Sequence, residues 1–250
     1  MKQPLVSVIM PCYNMERFLP QTIASVVGQT FEDWELLIVD DASTDGTHDV
    51  LKQAGDHDQR IRWFVKPEHS GIADTRNRCL QMAQGRYLAF LDADDLWRPN
   101  KLERQLKFMT EGNIGFSYTS YDCVDENGNP LDKTVKTAGN LDYKSFLRNT
   151  IIGCSTVMLD ADIVGQVTVP DFRTSEDTAT WLGILKKGII AHAFDESLTS
   201  YRVRRKSASS NKMKASYDLW TVYRKHEKLS FFNALYCFCC YAFNAIKKRL

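Results

Sequence analysis

Four short apolar runs, each broken off by a polar cluster, limit what this chain can fold into. Val6–Met10, Trp34–Val39, Ile61–Val65 and Tyr87–Leu91 are five or six residues long and rich in β-branched and aromatic side chains. Between the first two, Leu19, Ile23, Val26 and Val27 fall at helical spacing within Glu16 to about Gln29. Ala42–Thr47 supplies turn and N-cap residues before a short helix to Gln53, and Gly71–Gln84 reads as a third helix. Runs that are apolar throughout, rather than alternating, suit strands covered on both faces. The β-α-β-α-β-α-β order therefore predicts an α/β fold with a mostly parallel, helix-flanked sheet, the first strand stopped by Pro11.

Beyond these runs the pattern loosens. Pro99 suits a helix start, with Leu102, Leu106 and Met109 on the buried face. Ile114–Val124 reads as a strand, and Glu126-Asn127-Gly128-Asn129-Pro130 as a turn. A helix over Tyr143–Asn149, a strand around Thr156–Leu159 and a helix over Glu176–Lys187 follow. Ile189–Phe194 and Leu198–Val203 read as two short strands, and no Pro/Gly/Ser linker divides the chain.

The polar clusters carry the chemistry. The first strand ends in Pro11-Cys12-Tyr13-Asn14, the second in Asp40-Asp41-Ala42-Ser43-Thr44-Asp45, and the fourth in Asp92-Ala93-Asp94-Asp95. In a parallel sheet all three lie at one carboxyl edge, where open α/β folds bind ligands. Carboxylates packed this closely repel one another unless a cation or hydrogen-bond donors offset their charge. All-oxygen donors suit Mg²⁺ or Mn²⁺, with phosphate and water completing the shell, so the cluster suggests a metal–diphosphate site. Tyr13 can cover a flat base, and a carboxylate at Asp40 or Asp41 can accept an imide N–H. Arg76, early in the third helix, is expected to face the base or the diphosphate. The plainer alternative for the acids is helix capping. Neither G-x-x-x-x-G-K-[ST] nor a G-x-G-x-x-G after the first strand occurs, which removes the anchors of P-loop ATPase and dinucleotide-dehydrogenase readings.

Val6–Asn14, Ser25-Val26-Val27-Gly28-Gln29-Thr30, Leu37–Thr47 and Phe90–Asp95 together resemble the successive motifs of glycosyltransferase family 2, over roughly residues 5–107. Ser175-Glu176-Asp177 and Tyr201-Arg202 extend the likeness more loosely. Bacterial transferases building cell-surface polysaccharides, the teichuronic-acid and O-antigen enzymes, are similar. The resemblance implies a GT-A fold, a nucleotide-sugar donor with UDP favoured, a divalent Mn²⁺ or Mg²⁺, and inversion at the anomeric carbon. It implies nucleoside or diphosphate contacts at Pro11, Tyr13, Asn14, Asp40, Asp41, Arg76, Asp92 and Asp94, and metal ligation by Asp94 and Asp95. Asp177 matches the position of the catalytic base, with Glu176 the next candidate. The reading is thus a metal-dependent hexosyltransferase domain over 1–229, with a donor-binding half over 1–107 and an acceptor-binding half over 108–229. Processive relatives carry Gln-x-x-Arg-Trp beyond the base, which this chain lacks, so one sugar per acceptor is expected. Trp181 is a candidate for the acceptor site or the core. Two rivals remain: a nucleotidyltransferase, which would ordinarily show a Gly-rich basic loop after the first strand, and a non-catalytic sugar-nucleotide-binding subunit, against which Glu176-Asp177 counts.

Charge is unevenly distributed. The chain is formally +1, yet from Arg202 onward 12 Lys and Arg face only Asp218 and Glu227. Within that segment 231–246 is the longest apolar run, about 24 Å as a helix and short of a ~30 Å bilayer core. With Lys247-Lys248-Arg249 behind it and Arg224-Lys225 and Lys228 ahead, 230–250 reads as an amphipathic tail on anionic lipid, or as a helix docked on the domain. The resulting expectation is a cytoplasmic enzyme peripherally attached to the inner membrane face, meeting a lipid-linked saccharide acceptor and no nucleic acid. Met1-Lys2-Gln3-Pro4 leads straight into a strand, unlike a signal peptide. Seven cysteines in no framework spacing fit a reducing compartment, and the five histidines show no metal-ligand spacing.

Overall fold

The computed structural model describes residues 3–172, 174–204 and 212–247. The regular half comes first: strands β1 (Val6–Cys12), β2 (Trp34–Asp40), β3 (Ile61–Val65) and β4 (Tyr87–Phe90) alternate with helices α1 (Leu19–Val27), α2 (Thr47–His57) and α3 (Ile72–Met82). Every residue of β1, β2 and β4 is buried, as their unbroken apolar runs require. Side chains alternate across the sheet, so Val6, Val8 and Met10 enter one core with α1 and Leu51 of α2, while Ile9, Leu37 and Val39 enter the other.

Pro11 does not stop β1, which continues to Cys12 and pairs Pro11 with Val39. Ile9 accepts the Leu91 amide on the β4 side, so by alternation Pro11 faces that side too, where the β4 register has already ended at Ile9–Phe90. No strand partner there needs the amide hydrogen that proline lacks.

The rest comprises β5 (Leu96–Trp97), α4 (Lys101–Gly112), β6 (Phe116–Val124), β7 (Pro130–Val135), α5 (Tyr143–Arg148), β8 (Met158–Asp160), α6 (Ala161–Val164), α7 (Glu176–Leu185), β9 (Ala191–Arg202), α8 (Lys212–Thr221) and α9 (Phe231–Lys247). One sheet runs through both halves in the order β3-β2-β1-β4-β8-β6-β9-β5, with β7 on the edge of β6. The first four strands are parallel, whereas β8, β7 and β5 join antiparallel. Parallel growth reverses between β1 and β4, which puts the ends of these two strands at the switch point where α/β sheets bind ligands.

The two short strands expected after α7 form a single β9. Register shifts opposite Thr119–Tyr121 accommodate the polar Asp195-Glu196-Ser197 without ending it, and Ser120 Oγ donates to Asp195 at 2.7 Å. Leu102, Leu106 and Met109 are buried as α4's spacing predicts. Trp181 is 1% exposed, edge-on to Phe90 at 5.1 Å, and belongs to the core rather than to an acceptor site.

Candidate active site

The loops after β1 and β2 interlock first. Asn14 adopts φ +52° and Ala42 φ +59°, left-handed conformations uncommon outside glycine. Hydrogen bonds over-determine the first of these: Asn14 N donates to Ser43 Oγ at 2.7 Å, and Asn14 Oδ1 accepts the Thr44 amide at 2.8 Å. Asp40 is wholly buried, accepting from the Ser43 hydroxyl and amide with the Cys12 thiol 3.8 Å away.

Asp41 turns toward the α3 loop. It accepts from Ser70 N at 2.9 Å, Gly71 N at 2.8 Å and Lys66 Nζ at 2.9 Å, and the His69 ring stands 2.8 Å from its other oxygen. Burial alone would raise its pKa, but Lys66 and the two amides outweigh it and hold the carboxyl below its usual range. Gly71, at φ +97°, is what lets the chain turn into α3 while offering that amide. The two aspartates therefore brace loops, and the groups they leave at the surface are rings. Tyr13 is 39% exposed and lies 4.3 Å from His69, centroid to centroid, with Pro11 buried beneath the loop. His69 carried no signal in the sequence; only the Asp41 loop brings it to Tyr13.

The β4 acids separate into three roles. Asp95 is 1% exposed, accepting from Ser155 Oγ at 2.6 Å and the Arg202 amide at 2.9 Å. Burial, and then the charges of Asp94 and Asp92, push its pKa well above the carboxylate range. Asp95, expected to share an ion with Asp94, thus has both carboxylate oxygens engaged by Ser155 and the Arg202 amide. Asp92 is part-exposed, with its amide on Ser155 Oγ at 3.0 Å and Oδ1 on Arg76 Nη2 at 2.9 Å. Asp94 is half-buried, with Oδ2 at 2.6 Å from Arg204 Nε. Burial displaces its pKa upward against the pull of Arg204, and Asp92 adds to the shift. Ser155, in a single 3-10 turn over Cys154–Thr156, and Arg204, just past the end of β9, showed no pattern in the sequence.

Arg76, expected to face base or diphosphate, is 3% exposed. Its fork joins Asp92 to Glu176, with Nη1 to Glu176 Oε1 at 2.9 Å. The helix that starts at Glu176 thereby brings Asp177 beside the β4 acids. Asp177 accepts only the Thr178 amide, at 2.6 Å, among the described residues. Burial first, then the Glu176 charge, push its pKa up to about 7 despite Arg76. A carboxyl poised there can take a proton from a hydroxyl at neutral pH.

This order of loops and acids has counterparts. Glycosyl transferase family 2 matches residues 7–162. The chain belongs to that family. It is 50% identical over 248 residues to the putative teichuronic acid biosynthesis glycosyltransferase TuaG of Bacillus subtilis, covering 99% of this chain and 98% of the relative. It is 39% identical over 219 residues to the Escherichia coli UDP-Glc:alpha-D-GlcNAc-diphosphoundecaprenol beta-1,3-glucosyltransferase WfgD, covering 87% and 85%. Among solved structures, residues 1–349 of S. aureus TarS in complex with UDP-GlcNAc superpose with TM-score 0.72 at 19% identity, over 88% of this chain and 64% of that one. The fold is accordingly GT-A, and the chain is a glycosyltransferase, which sets the nucleotidyltransferase alternative aside.

Proposed function

We propose that this enzyme transfers one hexose, with inversion, from a UDP-sugar to a hydroxyl of a lipid-linked saccharide during cell-surface polysaccharide synthesis. The carrying observation is the Asp92–Arg76–Glu176 bridge, which sets Asp177, a carboxyl titrating near 7, beside acids suited to a diphosphate's cation. Tyr13 and His69, beside Pro11 and Asn14, stack on the base; Asp40 and Asp41 hold the loops that present them. Asp177 accepts the acceptor hydroxyl's proton as the oxygen attacks C1 opposite the leaving diphosphate, so a single base and no covalent intermediate suffices. UDP follows the UDP-Glc named for WfgD and the UDP-GlcNAc bound to TarS, and the lipid-linked acceptor follows the GlcNAc-diphosphoundecaprenol named for WfgD.

A divalent cation fits the donor set. Among the described residues Asp92, Asp94, Asp95, Glu176 and Asp177 gather around Arg76, Arg202 and Arg204, a carboxylate-rich setting before any diphosphate enters. No cluster of three or more His, Cys, Asp or Glu fit to hold an ion occurs among the described residues, so an ion here would need ligands from the donor's phosphates and from water. Asp94 would hold it with Asp92 in support, and the ion would offset charge on the departing diphosphate.

The test is release of UDP from a panel of UDP-sugars with Mn²⁺, then transfer to a sugar-diphospholipid analogue. Asp94→Ala is expected to lower turnover by about 10²-fold or more while its circular dichroism stays native. Near-wild-type turnover in that variant would remove Asp94 from the site. Donor binding without any turnover in the wild type would favour the non-catalytic subunit instead.

A further inference from the structure

Two arginines leave the end of β9 toward the same acids, and they are held differently. Arg202 is fixed at four points: its amide on Asp95 Oδ1 at 2.9 Å, Nε on the Asp94 carbonyl at 2.6 Å, Nη1 on the Glu126 carbonyl at 2.9 Å, and Nη2 on Gln21 Oε1 at 2.9 Å. Arg204 has no such anchorage. Its Nε stands 2.6 Å from Asp94 Oδ2, but the N–H points at no acceptor, so the contact is an ion pair without a hydrogen bond. Among the described residues its guanidinium otherwise meets the Met15 sulfur at 3.8 Å and the ring of Phe18 at 5.2 Å, both soft contacts. Arg202 belongs to the fold. Arg204 is a loosely held cation resting on the carboxylate that is to meet a metal.

We infer that Arg204 is a built-in counter-ion, neutralising Asp94 in the unloaded site and passing to the donor's diphosphate when the metal takes Asp94. The inference rests on the donor reading above. A divalent ion on Asp94 would stand within a few ångströms of the guanidinium, and like charges at that range repel strongly where water is scarce. The displaced guanidinium then has one new anion within reach, and its planar fork suits phosphate oxygens. Metal alone must break the Asp94–Arg204 pair with nothing in return, and diphosphate alone finds the arginine engaged. Together each frees a partner for the other. Metal and nucleotide should therefore bind cooperatively, and by linkage each raises the other's affinity by the same factor.

The experiment measures Mn²⁺ binding to the full chain by the electron paramagnetic resonance of free Mn²⁺, with and without UDP. In the wild type UDP is expected to tighten Mn²⁺ by roughly tenfold or more. In Arg204→Gln, Mn²⁺ alone should bind about threefold to tenfold more tightly, and the factor by which UDP tightens it should fall by a similar amount, leaving what direct metal–diphosphate contact supplies. Arg204→Lys keeps the charge without the fork and should fall between. Because Arg204 anchors nothing else among the described residues, both variants are expected to melt within a few degrees of wild type, and Arg204→Lys serves if Arg204→Gln does not fold. Wild-type coupling that persists in Arg204→Gln, or unchanged affinity for Mn²⁺ alone, would overturn the inference while leaving the donor reading intact. A wild-type protein that binds no UDP even with Mn²⁺ would overturn the donor reading itself.

Discussion

Burial beside Glu176 lifts the Asp177 carboxyl to about 7, and the consequences differ for catalysis and for stability. A base at Asp177 would act only when ionised, so on the proposed mechanism transfer should rise with pH through about 7, with roughly a tenth of the plateau left one unit below. Asp177→Asn should flatten that profile and lower transfer by about 10²–10⁴-fold while donor binding holds. Stability runs the other way. With the folded pKa above the unfolded value of 3.8, the group disfavours the native state increasingly as pH climbs from about 4 to about 7, and the penalty is complete above that. Asp177→Asn removes it. The variant should be about 1–3 kcal/mol more stable at pH 8, or roughly 2–10 °C in Tm, and no more stable near pH 3. Equal melting of both proteins at pH 8 would show that Asp177 carries no such strain. Glu176→Gln should be milder in rate yet destabilising, because Glu176 shares Arg76.

At the scale of elements, the Arg76 guanidinium ties α3 to α7, although Arg76 and Glu176 lie 100 residues apart. Arg76→Ala strands the buried Glu176 and the part-exposed Asp92 and should cost about 3–5 kcal/mol in urea unfolding. Arg76→Lys keeps the charge but cannot span both partners as a fork, so stability should recover further than kcat. If both properties recovered together, Arg76 would be structural only. What the sequence made legible here divides along physical lines. β1, β2 and β4 were readable because burial on both faces writes an unbroken apolar run, and α4 because one face does. β7 was not, since five of its six residues are exposed, and β9 was split because its bulge carries polar residues that pair within the sheet. The strand-end acids were likewise visible as a group. Which way each one points is a matter of tertiary contact: Asp95 turns onto Ser155, Asp41 onto Ser70 and Gly71, and Asp94 onto Arg204. No spacing rule encodes those partners, so His69, Ser155 and Arg204 entered only with the fold.

The whole molecule presents one apolar face that the transfer chemistry does not use. Helix α9 docks on the body, with Ala234 and Cys237 buried in the core and Asn244 Nδ2 donating to the Arg148 carbonyl at 3.0 Å. Of the weakly polar residues spaced along this helix, Cys237 and Asn244 face the body while Asn233 is exposed, so the tail is docked on the domain. Its outer arc holds Phe232, Tyr236 and Phe243, at 80%, 58% and 69% exposure, near helical spacing. Exposed Arg224, Lys225 and Lys228 precede it, and Lys144 and Arg148 are exposed on the adjoining α5. Residues 205–211 and 248–250, which carry much of the remaining basic charge, lie outside the described residues. No helix among the described residues is long and apolar enough to cross a membrane. An aromatic arc between basic groups suits the interface of an anionic leaflet, where a lipid-linked acceptor would be found. Truncation at Ser230 would bare Val222, Tyr223 and Leu147, so point changes on the arc test the idea more cleanly than removal of the helix. Each large apolar side chain is worth about 1.5–3 kcal/mol when buried, and 1.4 kcal/mol is tenfold in affinity. A Phe232→Ser, Tyr236→Ser, Phe243→Ser variant should therefore lose affinity for phosphatidylglycerol vesicles by roughly a hundredfold or more, while melting and UDP release in solution stay near wild type. Binding of the wild type should also weaken in high salt, as the basic groups are screened. Vesicle binding that ignores the triple substitution would leave α9 a core helix and place any membrane contact elsewhere.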